Sequence, residues 1–244
     1  MRDVTGGTGR HSGQPIAAAG VPPGDAKAGL ILLHGRGGSG ADMLGLARLV
    51  ASPTFACLAP EAADSSWYPY RFTEPTARNE PHLGSALSVL GDLVDRLIDG
   101  GMAPGRIALL GFSQGACLAL ELALRRGQRL GAVIGLSGGL IGDALAQPAA
   151  GARAFEGMPV VLGCSDHDPH IPIARVRETD AILRALGAEM VTRIYPGSSH
   201  DINDDEVAIA GEVLARLAGA SAQVGELWPN LGDGGLREAA YRGG

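Results

Sequence analysis

The chain has 244 residues, 45% of them hydrophobic, and a formal net charge of −6. This length and composition suffice for one large domain with a buried core and exclude a chain that is disordered throughout. The acidic balance, without a cluster of lysines and arginines, argues against a nucleic-acid partner, because binding to phosphates requires clustered cations.

Membrane and export signals are also missing from the sequence. No apolar run approaches the roughly 20 residues that span a bilayer, so we expect no stable membrane insertion. Residues 1–7 lack the apolar core of a signal peptide. The odd number of cysteines indicates free thiols in a reducing compartment, and each lies in apolar sequence: Cys57, Cys117 and Cys164. We therefore expect a cytoplasmic protein.

In chain order, residues 1–28 contain at most one edge strand, near residues 14–19. From Gly29 onward, short apolar runs alternate with helical stretches, which is typical of a mostly parallel sheet covered by helices. Continuous apolar runs predict the buried strands Leu30–His34, Thr54–Ala59, Ile107–Phe112, Ala132–Leu136, Val160–Cys164 and Met190–Tyr195. Apolar spacings of three and four predict helices over residues 83–97, 114–126, 176–186 and 203–217.

These elements predict an α/β fold with helices on both faces of one sheet. We expect a single domain over residues 1–218, with its core in residues 29–218. Beyond Ala218 the alternation stops and Ser, Gly, Gln and Pro increase. Residues 219–244 are therefore predicted to be an appendage, either disordered or laid along the surface.

A G-x-S-x-G pentapeptide, Gly111-Phe112-Ser113-Gln114-Gly115, lies between the predicted strand 107–112 and the predicted helix 114–126. In a nucleophile elbow the turn is so tight that small residues must flank the serine. The turn lifts the hydroxyl above the sheet and directs the backbone N–H of Gln114 at an oxyanion. The sequence thus predicts Ser113 as a nucleophile, with a strand–helix turn without chemistry as the alternative.

A serine nucleophile requires a base and an orienting acid, which follow the serine in the order acid, then histidine. His200 follows the last predicted strand through a short loop and is the predicted base. Asp166 and Asp168 both follow the strand 160–164. We predict Asp168 as the acid, because Pro169 favours an extended backbone at that position.

The loop that holds these acids also permits a metal-site interpretation. Asp166, His167, Asp168 and His170 alternate within five positions. Alternation in one loop does not by itself make ligands converge, and no partner cluster occurs elsewhere in the sequence. We therefore predict no metal ligands.

A glycine-rich loop, residues 34–40, follows the first predicted buried strand. In a nucleophile-elbow enzyme this loop supplies the second oxyanion donor, and Arg36 is the predicted residue through its backbone N–H. His34 at the strand end is predicted to be structural.

The same loop spells G-x-G-x-x-G with Gly35, Gly37 and Gly40, and Glu61 follows the next strand. This is the outline of a dinucleotide-binding fingerprint. A dinucleotide-binding oxidoreductase is therefore the non-hydrolase alternative. It is disfavoured because His34 is unusual before the first glycine and because the Ser–Asp–His order would then be coincidence.

Together the motifs resemble the phospholipase/carboxylesterase family, the α/β-hydrolases that include acyl-protein thioesterases and small bacterial carboxylesterases. The resemblance covers about residues 29–215. The matching segments are Leu32–Gly37, Gly111–Gly115, Asp168–Pro172 and Tyr195–Gly197 with His200. Residues 67–69 and 79–81 are similar to loops of the bacterial members. Two departures are Ala116 in place of a glycine and Gly163-Cys164-Ser165 in place of a His-Gly start.

The resemblance implies an α/β-hydrolase fold and a monomeric or homodimeric hydrolase of carboxylic ester or thioester bonds, without a cofactor. It also implies that the acid is Asp168, just before the Pro-x-Ile-Pro stretch. We expect a serine carboxylesterase acting on a small-molecule ester, with acyl-protein thioesterase or lysophospholipase activity as the alternative.

A binding protein on an inactive scaffold is disfavoured, because all three catalytic residues are present. The candidates for an acyl pocket, with ordinary packing as the equal alternative, are Trp67, Tyr68, Tyr70 and Phe72.

Overall fold

The computed structural model describes residues 9–145 and 152–219. Within them, seven strands form one sheet in the spatial order β1-β3-β2-β4-β5-β6-β7. The edge strand β1 pairs antiparallel with β3, and the other neighbours pair in parallel. The strands are β1 (Ile16–Gly20), β2 (Ala28–Leu33), β3 (Phe55–Pro60), β4 (Ile107–Phe112), β5 (Ala132–Leu136), β6 (Pro159–Ser165) and β7 (Glu189–Tyr195).

Helices cover both faces of the sheet. They are α1 (Gly40–Val50), α2 (Thr76–Asn79), α3 (His82–Asp99), α4 (Gln114–Arg126), α5 (Ile173–Ala185) and α6 (Asp204–Leu217). Helices α1 and α6 pack in one core cluster, and α3, α4 and α5 pack in the other. No helix of the described residues combines the length and the apolar character needed to cross a bilayer.

The hydrophobic pattern explains these layers. Strand β2 is buried at every position, as its continuous apolar run requires. Helix α3 buries a single stripe at helical spacing, namely Leu83, Ala86, Leu90, Leu93, Val94 and Leu97. Burying a leucine side chain fully, instead of leaving it exposed, stabilises the fold by roughly 1.5–3 kcal/mol. The predicted α/β-hydrolase architecture is therefore confirmed, and the weak segment near residues 14–19 is the edge strand β1.

The structure differs from the sequence-based elements at their ends and in two helices, α1 and α2, for which no bounds were predicted. Helix α5 begins at Ile173, three positions before the predicted start, because the preceding Pro172 has an extended backbone and forms its N-cap. Helix α1 was not delimited by periodicity; it begins with a reciprocal capping box between Ser39 and Asp42. Of the predicted appendage, residues 219–244, only Gly219 lies within the described residues.

Candidate active site

The turn between β4 and α4 holds Ser113 in an unusual backbone conformation, with φ 52° and ψ −116°. Such a conformation costs a non-glycine residue about 1–3 kcal/mol and persists only where the surroundings impose it. Here glycines make the turn possible: a Cβ on Gly111 would overlap the backbone of Gly115, and one on Gly115 would overlap the carbonyl of Leu33. The Ser113 N–H also donates to the Leu136 carbonyl of β5, at 2.9 Å. The strand, helix and neighbouring strand thus fix the serine.

Three predicted site residues form one hydrogen-bonded series at the carboxyl ends of the strands. The Ser113 Oγ lies 2.8 Å from Nε2 of His200, and Nδ1 of His200 lies 2.6 Å from Oδ2 of Asp168. His200 comes from the loop after β7 and Asp168 from the loop after β6. The fold therefore brings together side chains that are 32 and 87 positions apart in the sequence.

The second oxygen of Asp168 is also occupied. Its Oδ1 accepts the backbone N–H groups of His170, at 2.8 Å, and Ile171, at 3.0 Å. Burial alone would raise the pKa of Asp168, but the hydrogen bonds from His200 and from these two N–H groups hold it below its ordinary value. The carboxylate is thus charged, oriented and, at 0% side-chain exposure, shielded from solvent.

Asp166 has a different environment. Its Oδ1 accepts the Gly197 N–H, at 2.9 Å, and contacts Nδ1 of His167, at 2.7 Å. These contacts lower the pKa of Asp166 and tie its loop to the loop after β7. The two carboxylates of this loop therefore bind different histidines. In residues 9–145 and 152–219, no three His, Cys, Asp or Glu side chains converge as metal ligands.

Both predicted oxyanion residues lie in the wall of the cleft around Ser113. Gln114 begins α4, so its backbone N–H belongs to the helix turn that has no intrahelical acceptor. The Gln114 side chain binds a neighbouring loop: Oε1 accepts the backbone N–H of Trp67 and Nε2 donates to the Tyr68 carbonyl, both at 2.8 Å. The Arg36 guanidinium donates to the same Tyr68 carbonyl, at 2.7 Å. The two residues thus anchor one loop beside the serine.

The cleft that opens at Ser113 has a volume of about 640 Å³. Of the aromatic candidates, Tyr68, Tyr70 and Phe72 line it, but Trp67 does not. The Trp67 side chain is fully buried, and its Nε1 donates to the His34 carbonyl at 3.0 Å. The prediction that Trp67 contacts substrate is therefore corrected: the indole packs under the loop, where its N–H finds a buried partner.

Several cleft residues were not predicted from the sequence. They are Glu74, Arg71, Arg78, Cys117, His170 and Ile171. Cys117 belongs to α4 and Arg78 to the short helix α2, and the other four belong to irregular segments; no periodicity marks these six residues as part of a cleft. Two of these, His170 and Ile171, lie in a segment that the family resemblance had matched, but without a role in the cleft wall.

The dinucleotide alternative conflicts with the geometry of the glycine-rich loop. The fingerprint would need the N-terminus of α1 for a pyrophosphate. There, the Glu61 carboxylate already accepts the Gly40 N–H at 2.8 Å, and the Ser39–Asp42 capping box fills the first turn. His34 is buried, and its Nε2 accepts the Ala62 N–H at 3.1 Å. Carboxylates occupy the position that an anionic ligand would need.

The fold and the hydrogen-bonded series at the elbow are those of an α/β-hydrolase. A family model described as Phospholipase/Carboxylesterase matches residues 16–217, so the chain belongs to this family, as its motifs predicted. A crystal structure of a phospholipase/carboxylesterase from Dyadobacter fermentans has 37% identity and a TM-score of 0.79, with 85% of this chain and 98% of that chain covered.

Curated relatives agree with the family assignment. Acyl-protein thioesterase 1 of Gibberella zeae is 32% identical over 53% of this chain and 57% of the relative, so the match spans less than two thirds of that protein. Lysophospholipase-like protein 1 of Mus musculus is 27% identical over 81% of this chain and 90% of the relative. The comparisons thus define a hydrolase family of esterase and thioesterase type.

Proposed function

We propose that this protein is a cytoplasmic serine carboxylesterase that hydrolyses small carboxylic esters through Ser113, His200 and Asp168. The observation that carries the proposal is the unbroken series of hydrogen bonds from Asp168 through His200 to the strained Ser113. The cytoplasmic assignment rests on the cysteines, which are all buried and unpaired, as in reducing compartments.

The first half of the reaction forms an acyl-enzyme. Nε2 of His200 takes the proton of the Ser113 hydroxyl while its oxygen attacks the ester carbonyl. The negative charge on the former carbonyl oxygen is stabilised by the backbone N–H groups of Gln114 and Arg36. Nε2 then gives its proton to the leaving alcohol oxygen as the ester C–O bond breaks.

The second half restores the enzyme. A water molecule loses a proton to Nε2 of His200 and attacks the acyl carbon, and the same proton returns to the Ser113 oxygen as the carboxylic acid leaves. Asp168 stays ionised throughout. It keeps the proton on Nδ1 of His200, so that Nε2 always faces the serine.

A thioester or a lysophospholipid would use the same steps, because both are cleaved through an acyl-serine. The similarity to acyl-protein thioesterase 1 and lysophospholipase-like protein 1 supports these as alternative substrates. A panel of matched esters and thioesters of increasing acyl length separates the possibilities by kcat/KM.

Fluorophosphonate labelling with mass mapping tests the nucleophile. We expect the label on Ser113, and we expect Ser113→Ala to lose the label and about 10⁶-fold of the ester hydrolysis rate. Ser137→Ala is the matched control and is expected to keep the label, since Ser137 also has a positive φ, 53°, but is buried outside the cleft wall. Labelling of another serine, or activity of Ser113→Ala within tenfold of the wild type, would contradict the proposal.

A further inference from the structure

The charges around the cleft have the opposite sign to the chain as a whole. The chain carries a net charge of −6, but the cleft wall contains three arginines and a single carboxylate, that of Glu74. One arginine is neutralised locally: Nη1 of Arg78 lies 2.9 Å from Oε2 of Glu74. The other two, Arg36 and Arg71, outnumber the ionised Asp168 behind His200 and set the sign of the charge in the cleft.

Within residues 9–145 and 152–219, neither Arg36 nor Arg71 forms an ion pair. Their hydrogen bonds go to backbone carbonyls: Arg36 to those of Tyr68, at 2.7 Å, and Tyr70, at 3.4 Å, and Arg71 to that of His170, at 3.4 Å. A carbonyl fixes the position of a guanidinium without neutralising its charge. Each guanidinium has five N–H donors in a planar fork, so donors are left for a further acceptor.

The two arginines lie on segments that contact the reacting groups. Arg36 follows Gly35, at which an added Cβ would lie 3.3 Å from the Cβ of Ser113. Arg71 is held by the carbonyl of His170, whose ring contacts the His200 ring edge-on at a centroid distance of 4.8 Å. Both arginines thus belong to the cleft wall that contains Ser113 and His200, and each is tied to a segment next to one of them.

We propose that this site selects esters that carry a carboxylate group in addition to the ester bond. A planar guanidinium binds a carboxylate with two parallel hydrogen bonds, and a cleft of one charge sign concentrates ligands of the opposite sign. Tyr68 and Phe72 also line the cleft and offer aromatic surface to the apolar segment between the two polar ends. This proposal rests on the serine esterase function proposed above and adds the substrate class.

Three chromogenic esters test the substrate class: 4-nitrophenyl butyrate, the 4-nitrophenyl half-ester of succinic acid, and the butyrate of a carboxylated 4-nitrophenol. The second carries the charge on the acyl side and the third on the alcohol side. We expect kcat/KM for at least one charged ester to exceed that for the neutral ester about tenfold, since a charge-assisted hydrogen bond has roughly this effect. We expect added salt to reduce this ratio, because exposed charges are screened.

Variants of Arg71 test whether its guanidinium binds the substrate carboxylate. Arg71→Gln is expected to lower the charged-to-neutral ratio about tenfold, and Arg71→Lys to restore part of it. Arg48→Gln, an exposed position on α1 outside the cleft, makes the same change in net charge and is expected to leave the ratio unchanged. Equal ratios in the two glutamine variants would show that Arg71 does not bind the carboxylate and would overturn its role in the proposal.

The neutral ester separates the two proposals. If the wild type hydrolyses 4-nitrophenyl butyrate but prefers neither charged ester, the substrate class is wrong and the esterase function stands. If it hydrolyses none of the three and Ser113 is not labelled by fluorophosphonate, both proposals fail.

Discussion

The floor and the rim of the cleft are built on different principles. The floor, residues 111–115 with Asp168 and His200, is held by backbone geometry and by hydrogen bonds between buried or half-buried groups. The rim, residues 68–78, presents exposed arginines on a loop anchored by side-chain contacts to carbonyls. Under the functions proposed above, the reaction chemistry would depend on a strand–turn–helix unit, and substrate selection would depend on side chains of the rim.

After the loss of the nucleophile itself, the largest effect is expected where the floor orients its histidine. Asp168→Asn keeps the shape of the acid but offers an N–H to Nδ1 of His200, which favours the wrong tautomer. We expect a loss of about 10⁴ in kcat with little change in KM, measured with a neutral ester.

Asp166→Asn is the matched control, since Asp166 lies in the same loop but binds Gly197 and His167 instead. Its kcat is expected to stay within about tenfold of the wild type. If Asp166→Asn is the inactive variant and Asp168→Asn retains activity with unchanged stability, the assignment of the acid is wrong.

The steric limits of the floor are tested at Gly115. A Cβ there would overlap the carbonyl oxygens of Leu33 and His34, so the backbone must shift. We expect Gly115→Ala to lose about 3 kcal/mol or more of unfolding free energy in a denaturant melt, in spite of the better helix propensity of alanine.

Gly45 in α1 provides the control for this substitution. No atom lies within 4 Å of an added Cβ at Gly45, so Gly45→Ala is expected to stabilise the protein by roughly 0.5–1 kcal/mol. Equal effects at the two glycines would show that the tight turn does not require Gly115.

The contrast between floor and rim also explains what the sequence could predict. Ser113 is recognisable because its turn demands glycines on both sides, and buried strands are recognisable by continuous apolar runs. His200 follows from chain order and from its position after the last strand. Chain order alone does not identify Asp168 as the acid, because Asp166 follows the same strand. Only Pro169 and the family resemblance favour Asp168 over Asp166.

The rim left no comparable signal. Arg71 and Glu74 lie in irregular structure, where spacing does not determine which way a side chain faces. The buried Trp67 illustrates the same limit, because an aromatic residue in a loop serves equally well as packing or as pocket wall. Which role it takes depends on long-range contacts, here with His34 from the end of β2.

Gln114 joins the floor to the rim and tests how strongly the two are coupled. Gln114→Ala keeps the backbone N–H but removes the amide that binds the Trp67 N–H and the Tyr68 carbonyl. Leaving the buried backbone N–H of Trp67 without a partner lowers the free energy of unfolding by about 1–3 kcal/mol. We expect that loss in a denaturant melt together with a raised KM, whereas Gln14→Ala, at an exposed position, should change neither. An unchanged KM would show that the rim keeps its shape without the floor.

The smallest effect is expected outside both regions, at Glu206 in the first turn of α6. Its carboxyl group is buried against Gly163 of β6 and accepts the Asn203 N–H at 2.9 Å. Burial raises the pKa of Glu206 from 4.5 to about 7, against the opposing effect of the Asn203 hydrogen bond. Between these two pH values the folded chain therefore holds a proton that the unfolded chain has lost, so stability falls as the pH rises through this interval.

Glu206→Gln removes the titration while keeping an oxygen that can accept the Asn203 N–H. We expect its melting temperature to fall less than that of the wild type between pH 5 and pH 8, by about 3–5 °C. Asp204→Asn makes the same charge change at an exposed position of the same helix turn and should follow the wild-type curve. If the melting temperatures of Glu206→Gln and the wild type run parallel across this range, the buried Glu206 carboxyl does not titrate there, and burial has not raised its pKa.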